Sequence, residues 1–165
     1  MTALGAATAS STDEISAGLE KFAAVSNAVG LSYEYATSAL ATVTATTRQS
    51  ADVVGTAFKT LFARIQDLEL GKTLDDGTTL GKYSQALETV GVSIKTADGG
   101  LREMDDILSD LGEKWNSFDA EGNPLISDDA KVALAQTVAG VRQYTQLIAL
   151  MDNWDFMKEN LETAR

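Results

Sequence analysis

The stretch that decides the fold is residues 51–68, which read ADVVGTAFKTLFARIQDL. Its bulky apolar side chains follow one another at steps of 4, 3, 4 and 3 positions, and they are Val54, Phe58, Leu61, Ile65 and Leu68. This spacing places them on one side of an α-helix, because about 3.6 residues complete a turn. Ala57 and Phe62 widen the same side. The stretch therefore predicts a helix that packs one apolar face against neighbouring elements.

Helices before and after this stretch are predicted from capping residues, glycine stops and further apolar stripes. A serine hydroxyl just before a helix can accept a hydrogen bond from an exposed N–H of the first turn. The candidate capping residues are Ser11, Ser32, Ser50 and Ser127. We expect helices over roughly residues 12–29, 33–46, 51–68, 83–90, 103–118, 127–140 and 142–163, the last with a break near Asp152-Asn153.

Two of these predicted helices carry stripes of different width. The helix at 103–118 repeats the 4, 3, 4, 3 spacing with Met104, Leu108, Leu111, Trp115 and Phe118. The helix at 33–46 has only a thin stripe, and its many Ala and Thr residues suit close approach between helices.

The fold class follows from these elements. The chain has 165 residues and one proline, so long stretches are free of the residue that most strongly interrupts helices. We expect an all-α, compact multi-helix bundle of about six to eight helices over residues 12–165, after a flexible lead-in at 1–11. Residues 92–102 alternate in polarity around a Gly99-Gly100 turn, which is also compatible with one short β-hairpin.

Composition narrows the possible functions. The absence of Cys and His removes thiol nucleophiles, imidazole bases and the usual zinc ligands, and no cofactor is expected. The net charge of −11 disfavours direct nucleic acid binding and contact with anionic membranes. No apolar run reaches the roughly 18 residues that a membrane-spanning helix needs.

Carboxylate pairs are the remaining candidates for chemistry. Asp105-Asp106 and similar neighbours point about 100° apart on a helix, so they do not converge as an acid–base pair does. The loop that starts at Asp119 lacks the Gly and Glu positions of a calcium-binding loop, and a turn is favoured. The sequence therefore predicts no catalytic residue, no metal site and no enzyme.

The two tryptophans lie on predicted apolar faces. Trp115 and Trp154 are interpreted as core residues, and the alternative is that they anchor a partner chain, since Trp is enriched at interaction hot spots.

Three ordered blocks carry a resemblance to a known family. The first is residues 47–66, in which GTAFKTLFARI at 55–65 is the most specific part. The second, within 101–115, includes LREM, IL and EKW, and the third, within 133–154, includes ALAQ, AGVRQY and LMDNW. Together they resemble the core of the tail tape measure proteins of long-tailed bacteriophages and prophages, from about residue 13 to residue 154.

The resemblance implies a structural role and a set of residues. It implies a fragment of a longer virion protein that occupies the tail tube lumen, templates tail length during assembly in the host cytoplasm, and leaves ahead of the DNA. The implied partners are other phage tail proteins and assembly chaperones, with self-association as a further option. The family-motif residues, which are also candidates for an interface, are Arg48, Gly55, Lys59, Phe62, Arg64, Trp115, Gln136, Arg142, Tyr144, Met151 and Trp154.

Two alternatives stay open at this point. One is a peptidoglycan-cleaving tail enzyme that uses acids near Asp105 or Asp119, which a wall-hydrolysis assay separates from a structural role. The other is a generic helical adaptor unrelated to phage, whose neighbouring genes would not encode tail proteins.

Overall fold

A computed structural model describes residues 12–164, and over that range the chain is a bundle of α-helices. The predicted all-α fold is confirmed, with a helix number at the upper end of the expected range. The eight helices of the described range are α1 (Thr12–Ala28), α2 (Tyr33–Thr47), α3 (Ala51–Glu69), α4 (Leu80–Glu88), α5 (Met104–Trp115), α6 (Asp128–Ala139), α7 (Tyr144–Asp152) and α8 (Trp154–Ala164). None of them is long and apolar enough to cross a membrane. The predicted lead-in at 1–11, with the Ser11 cap, lies outside the described residues.

The capping serines explain where three helices begin. The hydroxyls of Ser32, Ser50 and Ser127 accept hydrogen bonds from backbone N–H groups three residues ahead, at 3.1–3.2 Å. Thr79 does the same for α4, which therefore begins at Leu80, earlier than the predicted residue 83. Each cap satisfies a donor that the helix itself cannot pair.

The predicted hairpin at 92–102 is wrong as a strand pair. Within the described range, only one antiparallel bridge forms there, between Lys95 and Leu101. The Thr96 N–H and the Gly100 carbonyl close a tight turn at 2.7 Å, and after Arg102 the chain enters α5. The segment is too short to continue the ladder before the next helix begins.

Two predicted helix ends also differ. The helix expected at 103–118 stops at Trp115, and Phe118 is 66% exposed in a loop where it forms a bridge with Pro124. The last predicted stretch, 142–163, is two helices separated by Asn153, as the expected break suggested.

The core joins α1 and α3 through aromatic side chains. Every residue of the α3 stripe from Val54 to Leu68 is buried, as predicted. Phe22 of α1 lies edge-on to Phe58 and stacked on Phe62, with ring centroids 5.4 and 6.2 Å apart. Such ring pairs add stability beyond the apolar area that they bury.

Helix α2 lies at the centre of the bundle. The thin apolar stripe predicted for it does not indicate this central position. All ten residues 35–44 are buried, although several are Thr or Ser. The hydroxyls of Thr42 and Thr44 bond to the Ser38 and Ala41 carbonyls at 2.7 and 3.0 Å, whereas those of Thr37 and Ser38 are buried without a hydrogen-bond partner among residues 12–164. A helix of small residues with such internal bonds can be surrounded on all sides. Helix α8 covers one of these sides, where Asn160 Nδ2 donates to Thr42 Oγ1 at 3.0 Å.

Candidate interaction site

Three of the family-motif residues line one surface groove. The groove has a volume of about 770 Å³ and lies between the exposed side of α3, the loop at 72–76 and the turn at 140–142. Lys59 and Arg64 come from α3, and Arg142 comes from the turn that joins α6 to α7. The fold thus brings together residues that are up to 83 positions apart in the sequence. We call this surface the α3 groove.

The floor of the α3 groove is made of short side chains. Thr56, Thr60 and Ala63 lie one turn apart on α3 and line the groove. The two threonine hydroxyls are bonded to carbonyls of their own helix, at 2.9 and 3.2 Å. Both of these hydroxyls are therefore engaged within α3.

Arg64 fixes the wall of the groove. Its Nη2 donates to Thr78 Oγ1 and to the Thr137 carbonyl, both at 3.0 Å, and it lies 3.0 Å from Asp76 Oδ2. The side chain is only 13% exposed. Hydrogen bonds from the Thr78 N–H and hydroxyl, together with the Arg64 guanidinium, hold the pKa of Asp76 below its ordinary value. Arg64 therefore ties α3 to the 72–78 loop and to the end of α6.

The rim of the groove carries the charges that are open to a partner. Lys59 and Arg142 are exposed, and over residues 12–164 no salt bridge involves either of them. Lys72 lies 3.4 Å from an Asp67 oxygen, so it is partly neutralised. The exposed Asp75 also lines the groove and forms no salt bridge in the described range, so the free charges there are two positive and one negative, in a chain whose net charge is −11.

A second group of motif residues meets inside the protein at the junction of α7 and α8. Trp115, Met151 and Trp154 are 1%, 0% and 3% exposed, so the interpretation of both tryptophans as core residues is confirmed. Trp115 Nε1 donates to Asp152 Oδ1 at 2.8 Å. Neither indole is open to a partner as an anchor in this conformation.

Gly55 and Phe62 serve the packing of α1 on α3. Both are buried, and Phe62 belongs to the aromatic cluster with Phe22. A β-carbon at Gly55 would lie 2.4 Å from the Gly18 carbonyl oxygen, so only glycine allows the two backbones to touch.

The remaining motif residues lie outside both groups. Arg48 is exposed at the end of α2 in a left-handed conformation, with φ of 61°, and its N–H caps the Thr44 carbonyl. Gln136 is half-buried near the end of α6, where its carbonyl accepts the Gly140 N–H at 2.9 Å. Tyr144 is half-buried at the start of α7.

The carboxylates named in the enzyme alternative are occupied by the backbone. Asp105 Oδ1 accepts the Ser32 N–H at 2.8 Å, and burial raises the pKa of this carboxyl. Asp119 Oδ1 accepts the N–H groups of Glu121 and Asn123, at 3.0 and 2.9 Å, which confirms the predicted turn. Among residues 12–164 no group of three or more acids is placed to hold a metal ion.

Sequence reasoning missed the partners of the motif residues. Gly112 and Asn116 contact the α7–α8 junction, and Thr78 binds Arg64. The signal for Gly112 was its spacing of three positions from Trp115, and Asn116 follows Gly112 by four positions. No sequence signal pointed to Thr78, because the contact depends on where the loop folds.

The comparison with known proteins agrees with the phage part of the sequence interpretation. A family model described as phage-related minor tail protein matches residues 1–128. No solved structure matches the chain. The match ends at the start of α6, so it includes Lys59 and Arg64 but neither Arg142 nor the last two helices.

Proposed function

The chain belongs to the phage-related minor tail protein family, and we propose that it is the folded core segment of a tail tape measure protein. Membership of the family gives the chain a structural role in a phage tail and associates it with the virion. The finer proposal is that this segment takes part in tail assembly, length determination and genome delivery. It would enter the lumen of the tail tube after synthesis in the host cytoplasm.

The observation that carries this proposal is the α3 groove. Lys59 and Arg64 belong to the first block of the tape measure resemblance and Arg142 belongs to the third, and they line one surface. A packing role alone does not require the exposed, unpaired Lys59 and Arg142. Charged rims guide and orient protein partners, so the groove supports docking of another tail protein or an assembly chaperone through carboxylates.

A catalytic role is not part of the proposal. Asp105 and Asp119 accept backbone hydrogen bonds that hold a helix start and a turn in place. Replacing either residue should therefore change stability rather than a reaction rate. We expect the purified protein to leave peptidoglycan intact in a dye-release assay, and turnover that Asp105→Asn abolishes would contradict this.

The docking role can be tested in the complete protein during phage growth. Lys59→Glu combined with Arg142→Glu reverses the charge of the rim without touching a buried side chain. We expect far fewer complete tails by electron microscopy, while the variant protein keeps its helical circular dichroism spectrum. Lys95→Glu is the matched control, because Lys95 is also exposed but lies outside the groove. Normal tails from the double variant would refute docking through this rim.

The length role needs a separate measurement. We would duplicate residues 12–164 in frame within the complete protein and measure tail length. If the segment unwinds into one helix inside the tube, its 153 residues would add about 230 Å, at roughly 1.5 Å per residue. If it stays folded, it would add only the diameter of a small domain, roughly 35–40 Å. Unchanged tail length would refute length determination by this segment and leave the structural role intact.

A further inference from the structure

Helices α7 and α8 are two parts of one stretch in which the only predicted break lies at Asp152-Asn153. They are separated by the single residue Asn153, whose φ and ψ are −111° and 34°. The 21 residues 144–164 contain neither proline nor glycine. In the absence of proline and glycine the bend needs another cause, and side chains supply it: that of Asn153 itself and those of α5.

Side-chain amides satisfy the end of α7 at the bend. The last four carbonyls of a helix have no main-chain partner within it. Asn153 Nδ2 donates to the Ala149 carbonyl at 2.7 Å, and Asn116 Nδ2 donates to the Met151 carbonyl at 2.9 Å. In a continuous helix, N–H groups of residues 153 and 155 would bond to these carbonyls. The two amides thus stand in for the hydrogen bonds that the bend removes.

The last turn of α5 supplies the outside contacts, and we call it the α5 clasp. It consists of Gly112, Trp115 and the C-cap residue Asn116, of which Gly112 and Asn116 are four positions apart. Trp115 Nε1 binds the Asp152 carboxylate at 2.8 Å. A β-carbon at Gly112 would lie 2.2 Å from the Trp154 ring, so the indole rests directly on the α5 backbone. The clasp holds residues on both sides of Asn153.

Straightening at Asn153 would lift α8 away from α2. A continuous helix over residues 144–164 would be about 31 Å long. The apolar side chains of Trp154, Met157 and Leu161, now buried, would leave the core. Thr42, at the buried centre of α2, would also lose its partner Asn160.

The surface of α2 and α5 that α8 would leave on straightening is complementary to one particular helix. It needs an apolar stripe, an amide opposite Thr42 and an indole over Gly112, and α8 carries all three. A second copy of the chain offers an identical α8, whereas an unrelated helix has to match each feature by chance. Exchange of an element between identical chains keeps every core contact and changes only the hinge.

We propose that two copies of this chain exchange α8 by straightening at Asn153, and that the α5 clasp keeps the monomer closed. This surface is distinct from the α3 groove, and the inference does not depend on the proposed function. The exchanged dimer would contain two complete cores joined by two extended α7–α8 helices.

The first test loosens the bend. Asn116→Ala removes the amide that binds Met151, and Asn153→Ala replaces the hinge residue with the strongest helix former. In the 165-residue chain we expect each to raise the dimer-to-monomer ratio about five- to tenfold by light scattering at equal concentration, as the loss of one or two hydrogen bonds allows. Asn123→Ala in the exposed loop is the matched control. Ratios equal to the control for both folded variants would overturn the proposal.

The second test identifies the exchanged helix and does not require the first variants to fold. The chain has no cysteine, so Thr42→Cys with Asn160→Cys creates a single possible disulfide across α2 and α8. Isotope-labelled and unlabelled copies are incubated together at high concentration and then oxidised. We expect a covalent dimer with a disulfide between labelled and unlabelled peptides, increasing with concentration. A disulfide that forms only within each copy at every concentration would overturn the exchange.

Discussion

Gly18 and Gly55 bring the backbones of α1 and α3 into direct contact. A β-carbon at Gly55 would lie 2.4 Å from the Gly18 carbonyl oxygen, and one at Gly18 would lie 2.6 Å from the Ala51 carbonyl oxygen. Both obstacles are main-chain atoms, which cannot rotate away. The close crossing lets Phe22 reach Phe58 and Phe62 across the interface.

Gly55→Ala should therefore destabilise the fold strongly. The added methyl must push α1 and α3 apart, and overpacking of this kind costs about 1–3 kcal/mol or more. The free energy of unfolding in urea measures the loss. The matched control is Gly81→Ala in α4, where the nearest atom to an added β-carbon is 3.8 Å away. That change should be neutral or stabilise by about 0.4–1 kcal/mol, and equal effects at both sites would contradict the contact.

Gly112→Ala should disturb the α7–α8 junction in particular. Its methyl would collide with the Trp154 ring, which lies on the α5 backbone. We expect a loss of about 1–3 kcal/mol together with a weaker near-ultraviolet circular dichroism signal, since Trp154 loses its fixed position. Retention of the full tryptophan signal and of stability would show that the ring does not pack there.

Arg64→Lys should be nearly as harmful as Arg64→Ala. A lysine keeps the charge but cannot reach Thr78, the Thr137 carbonyl and Asp76 in the way the guanidinium does. We expect each variant to lose about 1.5–3 kcal/mol, because the arginine is largely buried and its partners lose a charged donor. Thermal unfolding measures this loss. Lys59→Ala on the neighbouring turn, which has no such bonds, should change stability by less than about 0.5 kcal/mol.

Glu69 should make stability depend on pH near neutrality. Burial, and secondarily the nearby Glu103, raise the pKa of Glu69 from 4.5 to about 7. A carboxyl whose pKa is raised by folding binds its proton more tightly in the folded state, so its favourable contribution is present below pH 4.5 and is lost as the pH rises to about 7.

Glu69→Gln should remove that dependence. We expect the variant to melt about 1–3 °C above the unchanged protein at pH 8 and to show little difference at pH 4.5. Glu121→Gln in an exposed loop is the matched control for the loss of one carboxylate. The opposite sign, with the variant less stable at pH 8, would mean that the folded state stabilises the charged form of Glu69.

The sequence predicts well those helices that have one wide apolar face. The stripe from Val54 to Leu68 is fully buried, because one face of α3 is packed and the other lines the surface groove. Serine capping also predicts the starts of α2, α3 and α6 to within a residue. These features depend on local spacing, which a single sequence contains.

The burial of helix α2 cannot be predicted from local spacing. Its apolar stripe is thin, yet all of residues 35–44 are buried. Periodicity identifies a helix with one packed side, whereas α2 is packed on every side and has no second face to contrast with the first. The burial of Thr42 depends on Asn160, 118 positions away, and no local pattern contains such a contact.

For the candidate site, too, the sequence predicts some features and only the fold shows the others. The resemblance named residues, but only the fold separates Lys59 and Arg142 on an exposed rim from Trp115 and Trp154 in the interior. The stripe spacing predicted the interior position of the tryptophans. The meeting of Lys59 with Arg142 depends on how α6 returns the chain to α3, which is a property of the whole bundle.

The packing of α8 against α2 also determines which fragments of this protein can fold when they are produced for experiments. The family match ends at residue 128, but the side chains that seal the central helix, Trp154 and Met157 among them, come later in the chain. A truncation at residue 128 would expose the buried helix α2 to solvent. The apolar surface exposed in this way would favour aggregation. Shorter pieces for biochemical work should therefore retain everything through Leu161, because the side chains that cover the central helix extend beyond the matched range.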